Sequence, residues 1–268
     1  MDSVIHVNAN GARLAVTVAG TGRALLLVHG FPVDRSMWRH QLAAWDGWSC
    51  VAPDLRGAGT SDAPIGGYTM GQFADDLVAV LDAVRAPRAI CCGLSMGGYV
   101  LFELMRRHPE RVQGLILCDT KSEADTPEAK RGRDELAGVA RAEGMAGVAS
   151  RLLPRLVGRS TQGRTPAVVD EVQQMVLRST VAGVVGALAA MRDRADATPW
   201  LPEIRVPTLV MGGAEDEITP PAVMRPLADR VPGARYVEIA GAGHMAPLEQ
   251  PQAVNRAVAE FLLGAALR

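Results

Sequence analysis

The sequence predicts an α/β fold in which a mostly parallel central sheet is flanked by helices, and three observations carry that prediction. Short continuous apolar runs recur along the chain, helical patterns fall between them, and a two-strand turn signal precedes them all. The first two segments, VIHVNA and RLAVTVAG, are joined by Asn10-Gly11, a dipeptide suited to a hairpin turn. ALLLVHG (24–30), SCVAPD (49–54), AICCG (89–93), GLILCD (114–119), PTLVMGG (207–213) and RYVEIAG (235–241) read as strands buried on both faces. Between them, 69–84 places Phe73, Leu77, Val80, Leu81 and Val84 on one face of a helix, and a second helix runs from Met96 through Leu101 to Arg107.

The strand signal disappears between Thr120 and Pro199 and resumes at EIRVPTLVMGG. This organisation predicts one core, 1–119 and 200–268, interrupted by a helical insertion over 120–199 that forms a cap, or lid, over the sheet. A chain of 268 residues sits near the upper size for one hydrophobic core, roughly 250–300 residues. A net charge of −1, with 21% charged residues, gives no electrostatic reason to expect nucleic acid or an anionic membrane as partner, and a small molecule is expected instead. No pattern assigns an oligomeric state. The first residues show no basic segment followed by an apolar one, and no apolar run approaches the ~18 residues of a membrane span, so a cytoplasmic location is expected. Cys50, Cys91, Cys92 and Cys118 lie in or beside predicted strands without metal-ligand spacing and read as reduced packing residues. Neither a metal nor a cofactor is expected.

The stretch AICCGLSMGGYV carries the chemistry. Gly93-Leu94-Ser95-Met96-Gly97 fits G-x-S-x-G at a strand-to-helix junction, where glycines relieve the crowding of a sharp bend. The helix that begins there leaves the Met96 N–H free to donate to an oxyanion. A serine that merely caps the helix is the competing interpretation. A serine nucleophile needs a base oriented by a carboxylate. His244, on the Gly-rich loop of GAGHMAPLEQP, is the best base; His6 lies in the hairpin, and His40 and His108 are expected on amphipathic helices. Asp216 in GGAEDEITP is the favoured carboxylate, while Asp119, which also ends a strand, stays open as an alternative. Glu215 and Glu217 are expected to be solvated. After the strand ending LLLVHGFP, the Phe31 N–H supplies the second oxyanion donor and His29 stabilises the loop. PDLRGAGTSD lacks both the P-loop lysine and the dinucleotide spacing, so Asp54 and Arg56 are expected to tie loops together.

Together HGFP, DLRGAGTSD, GLSMGG, GAEDEITP and GAGHMAPLEQP, in that order, resemble the α/β-hydrolase superfamily over nearly the whole chain. Within it the chain looks most like small bacterial carboxylesterases and 3-oxoadipate enol-lactonases. Serine at 95 argues against the haloalkane dehalogenases and epoxide hydrolases, which use aspartate there. The resemblance implies hydrolysis of a small carboxylic ester or lactone through an acyl-enzyme on Ser95. Carbon–carbon bond hydrolysis, perhydrolysis or haloperoxidation with the same triad, and a receptor role on the same fold, are the alternatives. Met145, Leu153 and Trp200, among other apolar residues of the cap region (Met175, Leu152, Leu156, Met191), are candidate substrate contacts. Arg131, Arg133 and Arg151 are candidates to receive a substrate carboxylate.

Overall fold

The computed structural model describes residues 3–266; Met1, Asp2, Leu267 and Arg268, at the ends of the expected core, lie outside the described residues. Strands β1 (Ser3–Ala9) and β2 (Ala12–Gly20) form the expected antiparallel hairpin, with Ala9 opposite Ala12. Asn10 and Gly11 both take positive φ (47° and 83°), as this hairpin turn requires. Then follow β3 (Arg23–Val28), β4 (Trp48–Pro53), β5 (Ala89–Leu94), β6 (Val112–Cys118), β7 (Thr208–Gly213) and β8 (Arg235–Ile239). They make one eight-stranded sheet in the order β1-β2-β4-β3-β5-β6-β7-β8, parallel except where β2 meets its two neighbours. Interior strands β5 and β7 are buried at every residue. β8 departs from the expected two-faced burial because it closes the sheet edge: Arg235 and Glu238 are exposed and pair with Glu260 and Arg225.

Helix α1 (Met70–Ala83) begins at Thr69, whose hydroxyl accepts the Gln72 N–H, and buries Phe73, Leu77, Val80 and Leu81. Helix α2 (Met96–Arg107) starts on the residue after Ser95. Between β6 and β7 there is no strand. That stretch holds α3 (Pro127–Leu156), α4 (Arg159–Arg164), α5 (Pro166–Arg178) and α6 (Val181–Arg192), with α3 packed against α5 and α6. α3 is kinked at Gly144, which takes φ 66°. Helices α7 (Pro221–Arg230), α8 (Ala246–Glu249) and α9 (Pro251–Ala266) complete the chain. Among the described residues no single helix is long and apolar enough to cross a membrane. His108 caps the end of α2 and bonds Asp75, whereas His40 lies in a turn and not on a helix, because the preceding helical segment is a single 3₁₀ turn, Arg35–Trp38.

The side chains of Cys50, Cys91, Cys92 and Cys118 are buried in the sheet, with the sulfurs of Cys92 and Cys118 3.7 Å apart. The loop after β4 is tied down as expected. Asp54 accepts the Arg35 and Thr60 N–H groups and pairs with the Arg35 guanidinium, while Arg56 grips Asp76 with two bonds of 2.6 and 2.7 Å. Asn10 also donates to Asp76, so one buried pair joins the loop, α1 and the hairpin turn. Removing one partner of such a pair strands the other charge out of water. Asp76→Ala is therefore expected to cost about 3–5 kcal/mol, read from the midpoint of urea unfolding by circular dichroism.

Candidate active site

Strand order places the site. The chain leaves β3 toward β4 on one side and returns to β5 on the other, so the loops after β3 and β5 diverge and open a crevice at their C-terminal ends. Ser95 stands there, at φ 53°, ψ −112°, and its side chain makes no capping bond, which disposes of the simple helix-cap interpretation. The strained backbone is held from both sides: the Ser95 N–H donates to the Cys118 carbonyl (2.9 Å), and the Ser95 carbonyl accepts from Gly98 N–H (2.9 Å) and the Thr120 hydroxyl (2.8 Å). The bend has no room for side chains at Gly93 and Gly97. A Cβ at Gly93 would sit 2.6 Å from the Gly97 carbonyl carbon, and one at Gly97 would overlap the Val28 carbonyl oxygen.

On the β3 side, the His29 ring accepts the Leu55 N–H at Nε2 (2.9 Å) and donates from Nδ1 to the Gly30 carbonyl (2.8 Å). The imidazole thus braces the loop that carries Phe31, as expected for a structural histidine. Phe31 and Met96 border one small cavity against α6, and Phe31 also borders the larger one that contains Ser95. As the first residue of α2, Met96 has an N–H with no intrahelical acceptor.

The loops after β7 and β8 bring Asp216 and His244 together. Both are buried, and His244 Nδ1 lies 2.7 Å from Asp216 Oδ2. Thr219 donates its hydroxyl to the same oxygen (2.6 Å), and the Ile218 and Thr219 N–H groups donate to Oδ1 (2.7 and 3.1 Å). Burial alone would raise the Asp216 carboxyl, but the His244 charge and these donors outweigh it and hold it well below the usual carboxylate range. An ionised carboxylate only accepts, so Nδ1 carries the proton and Nε2 is the nitrogen left for chemistry. Asp119 does not bond His244 directly: its Oδ1 accepts the Gly213 N–H at 2.7 Å. Asp119, Asp216 and His244 are close enough to invite a metal reading, yet the Asp216 oxygens, Asp119 Oδ1 and His244 Nδ1 are already engaged in hydrogen bonds.

Glu249 is a further buried carboxylate that sequence reasoning passed over. It accepts the N–H groups of Gly243 and Met245, on either side of His244, and that of Gly158 between α3 and α4. Its only sequence signal is its place five residues after the histidine. Glu215, expected in solvent, is half-buried and accepts from the Ser160 N–H and hydroxyl, because the helical segment folds down onto the Asp216 loop; Glu217 is exposed as expected.

Ser95 and His244 share a cavity of about 350 Å³ with Phe31, Tyr99 and Ile218. Its roof comes from two rows on α3, Ala129, Gly132, Arg133 and Leu136 from one half and Leu152, Arg155 and Leu156 from the other, with Met191 from α6. Both rows follow helical i, i+3, i+4 spacing, a signal present in the sequence. Met145, Leu153 and Trp200 do not line this cavity. Met145 and Leu153 fall off the two rows and pack half-buried against the core, and Trp200 stacks under Arg106 in a separate groove. Of the three arginine candidates only Arg133 reaches it; Arg131 and Arg151 point away and pair with Glu128 and Glu143. Lys121 and Arg155, not singled out from sequence, take their places. Lys121, Arg133 and Arg194 surround the buried Asp125, and burial together with the two arginines pulls the Lys121 ammonium below its ordinary value.

Comparison with known proteins agrees with this architecture. Residues 23–251 match the family model described as alpha/beta hydrolase fold. A 3-oxoadipate enol-lactonase of Acinetobacter baylyi is 30% identical over 236 residues, 88% of this chain and 86% of that protein. Among solved structures, a thermophilic esterase from Thermogutta terrifontis with malate bound superposes with a TM-score of 0.94 at 39% identity, covering 98% of this chain and 99% of that one. An enol-lactonase from Burkholderia xenovorans LB400 gives 0.90 at 33% identity, covering 97% and 100%. The chain belongs to the α/β-hydrolase family, and its relatives include esterases and enol-lactonases.

Three backbone N–H groups converge on Glu249, and truncating it would leave them buried without an acceptor. Glu249→Ala is expected to destabilise the fold by at least about 2 kcal/mol, measured by denaturant unfolding, with Glu249→Gln losing less because one acceptor oxygen remains.

Proposed function

We propose that this protein hydrolyses a carboxylic ester or lactone of a small molecule through an acyl-enzyme on Ser95. The observation that carries the proposal is the buried Asp216–His244 pair, oriented with Nδ1 on the carboxylate, in the same cavity as a serine held at a strained bend. Ser95 Oγ attacks the carbonyl carbon while His244 Nε2 takes its proton, and Asp216 stabilises the imidazolium. The Phe31 and Met96 N–H groups receive the oxyanion. His244 then protonates the leaving alkoxide, which in a lactone stays tethered to the acyl group, and finally draws a proton from the water that releases the acid. Residues 120–199 serve as the cap that covers this site.

The substrate carries a carboxylate of its own. Lys121, Arg133 and Arg155 border the cavity with Asp125 as the one opposing charge on its wall, which favours an anionic ligand. The enol-lactonase relatives and the esterase with malate bound are consistent with that chemistry.

A fluorophosphonate probe is expected to modify wild type once, at Ser95, by intact mass and peptide mapping; no adduct on folded protein overturns the proposal. Ser95→Ala is expected to lose roughly 10⁴–10⁶ in kcat on p-nitrophenyl butyrate, with circular dichroism unchanged. Arg155→Ala should raise KM about tenfold for a carboxylate-bearing ester and leave KM for p-nitrophenyl butyrate unaltered; equal effects on both would remove the anionic-substrate assignment.

A further inference from the structure

Behind the Asp216–His244 pair lies a second acid for which the proposed chemistry has no use. Asp119 ends β6 at positive φ (44°), is fully buried, and gives Oδ1 to the Gly213 N–H, while Oδ2 has no hydrogen-bond partner among the described residues. Its carboxyl, that of Asp216 and the His244 ring come within 4.8 Å of one another. Two carboxylate charges at such a distance, out of water, repel strongly, and a bare buried carboxylate oxygen forfeits its hydration. One proton answers both problems. On Asp119 it turns the orphaned acceptor into a donor, and Asp216, already gripped by four donors, is the partner that keeps its charge.

We infer that Asp119 is a neutral carboxylic acid that donates a hydrogen bond to Asp216, making it a positioning residue for the Asp216–His244 pair. Asp216 thereby gains a fifth donor, which fixes its plane against the imidazole. Of the titratable groups around Asp119, Asp216 after β7, Glu249 on α8, Cys118 on β6 and Tyr236 on β8 bring no positive charge, and the His244 ring, which can carry one, is bonded through Nδ1 to Asp216; the Gly213 N–H is the one hydrogen bond that favours the ionised form of Asp119. Burial first, and then the Asp216 charge, push the Asp119 carboxyl well above the usual carboxylate range. A carboxyl that keeps its proton in the fold but releases it at about pH 3.9 when unfolded lowers stability as pH rises above that value.

The inference rests on the triad assignment, and the test separates the two. Asp119→Asn keeps an acceptor for Gly213 and an N–H donor for Asp216 without a titrating proton, whereas Asp119→Ala removes the donor. With p-nitrophenyl butyrate, Asp119→Asn is expected within about twofold of wild type, and Asp119→Ala about tenfold lower in kcat at unchanged KM, the loss of one charge-assisted hydrogen bond. Thermal unfolding supplies a readout independent of activity: the Tm of Asp119→Asn should exceed that of wild type by a margin that widens from pH 5 to pH 8. Asp119→Asn falling to the level of Asp119→Ala, Asp119→Ala matching wild type, or a margin that does not grow with pH would each overturn the inference. If Asp119→Ala does not fold, Asp119→Asn decides it alone. Should Ser95→Ala retain turnover, the triad assignment falls, and the pH dependence of Tm still reports whether Asp119 carries its proton.

Discussion

The contact on which the site depends is the 2.7 Å bond between His244 Nδ1 and Asp216 Oδ2, made between two buried side chains. A buried charge is tolerable only when its acceptors are filled, and Asp216 is served by its own loop: Ile218 and Thr219 donate backbone N–H groups, and Thr219 adds its hydroxyl. That explains the compact DEIT sequence after the strand, which turns back so that its N–H groups face the carboxylate. Adjacent parallel strands β7 and β8 deliver the two loops to one edge of the sheet, so the pair needs no long-range threading.

Strain at Ser95 is compensated by the same economy. A non-glycine residue at positive φ costs about 1–3 kcal/mol, and three hydrogen bonds to Cys118, Gly98 and Thr120 hold it there. Two of those partners lie at the end of β6, the strand next to β5. The serine is thus fixed by its sheet neighbour as well as by the helix that follows it.

Much of this was legible because parallel strands end at one edge. Each apolar run followed by a polar or glycine-rich turn had to present that turn at the same rim, so Ser95, Asp216 and His244 could be gathered by order alone, and Asn10-Gly11 specified its hairpin through backbone preference. What failed depended on relations between distant segments. The face of α3 that looks into the cavity is divided by the kink at Gly144, so candidates chosen by composition, Met145 and Leu153, missed the two rows that periodicity defines. Trp200 sits in a 3₁₀ turn with no period to orient it. Glu249 ties the His244 loop to Gly158, 91 positions away, and Asp119 could be placed at the right edge but not assigned to the right neighbour.

The bond from Gly158 to Glu249 has a consequence for how such proteins can be recombined. The carboxylate that fastens the His244 loop also fastens the helices above it, and a Cβ at Gly158 would lie 2.7 Å from the Gly243 nitrogen. A helical segment transplanted from a relative to alter the cavity roof must therefore bring a glycine and a free backbone N–H to this one junction. Without them the graft would disturb the histidine loop while leaving every roof residue correct, and a chimaera made by matching cavity linings alone would fail for a reason invisible in the lining.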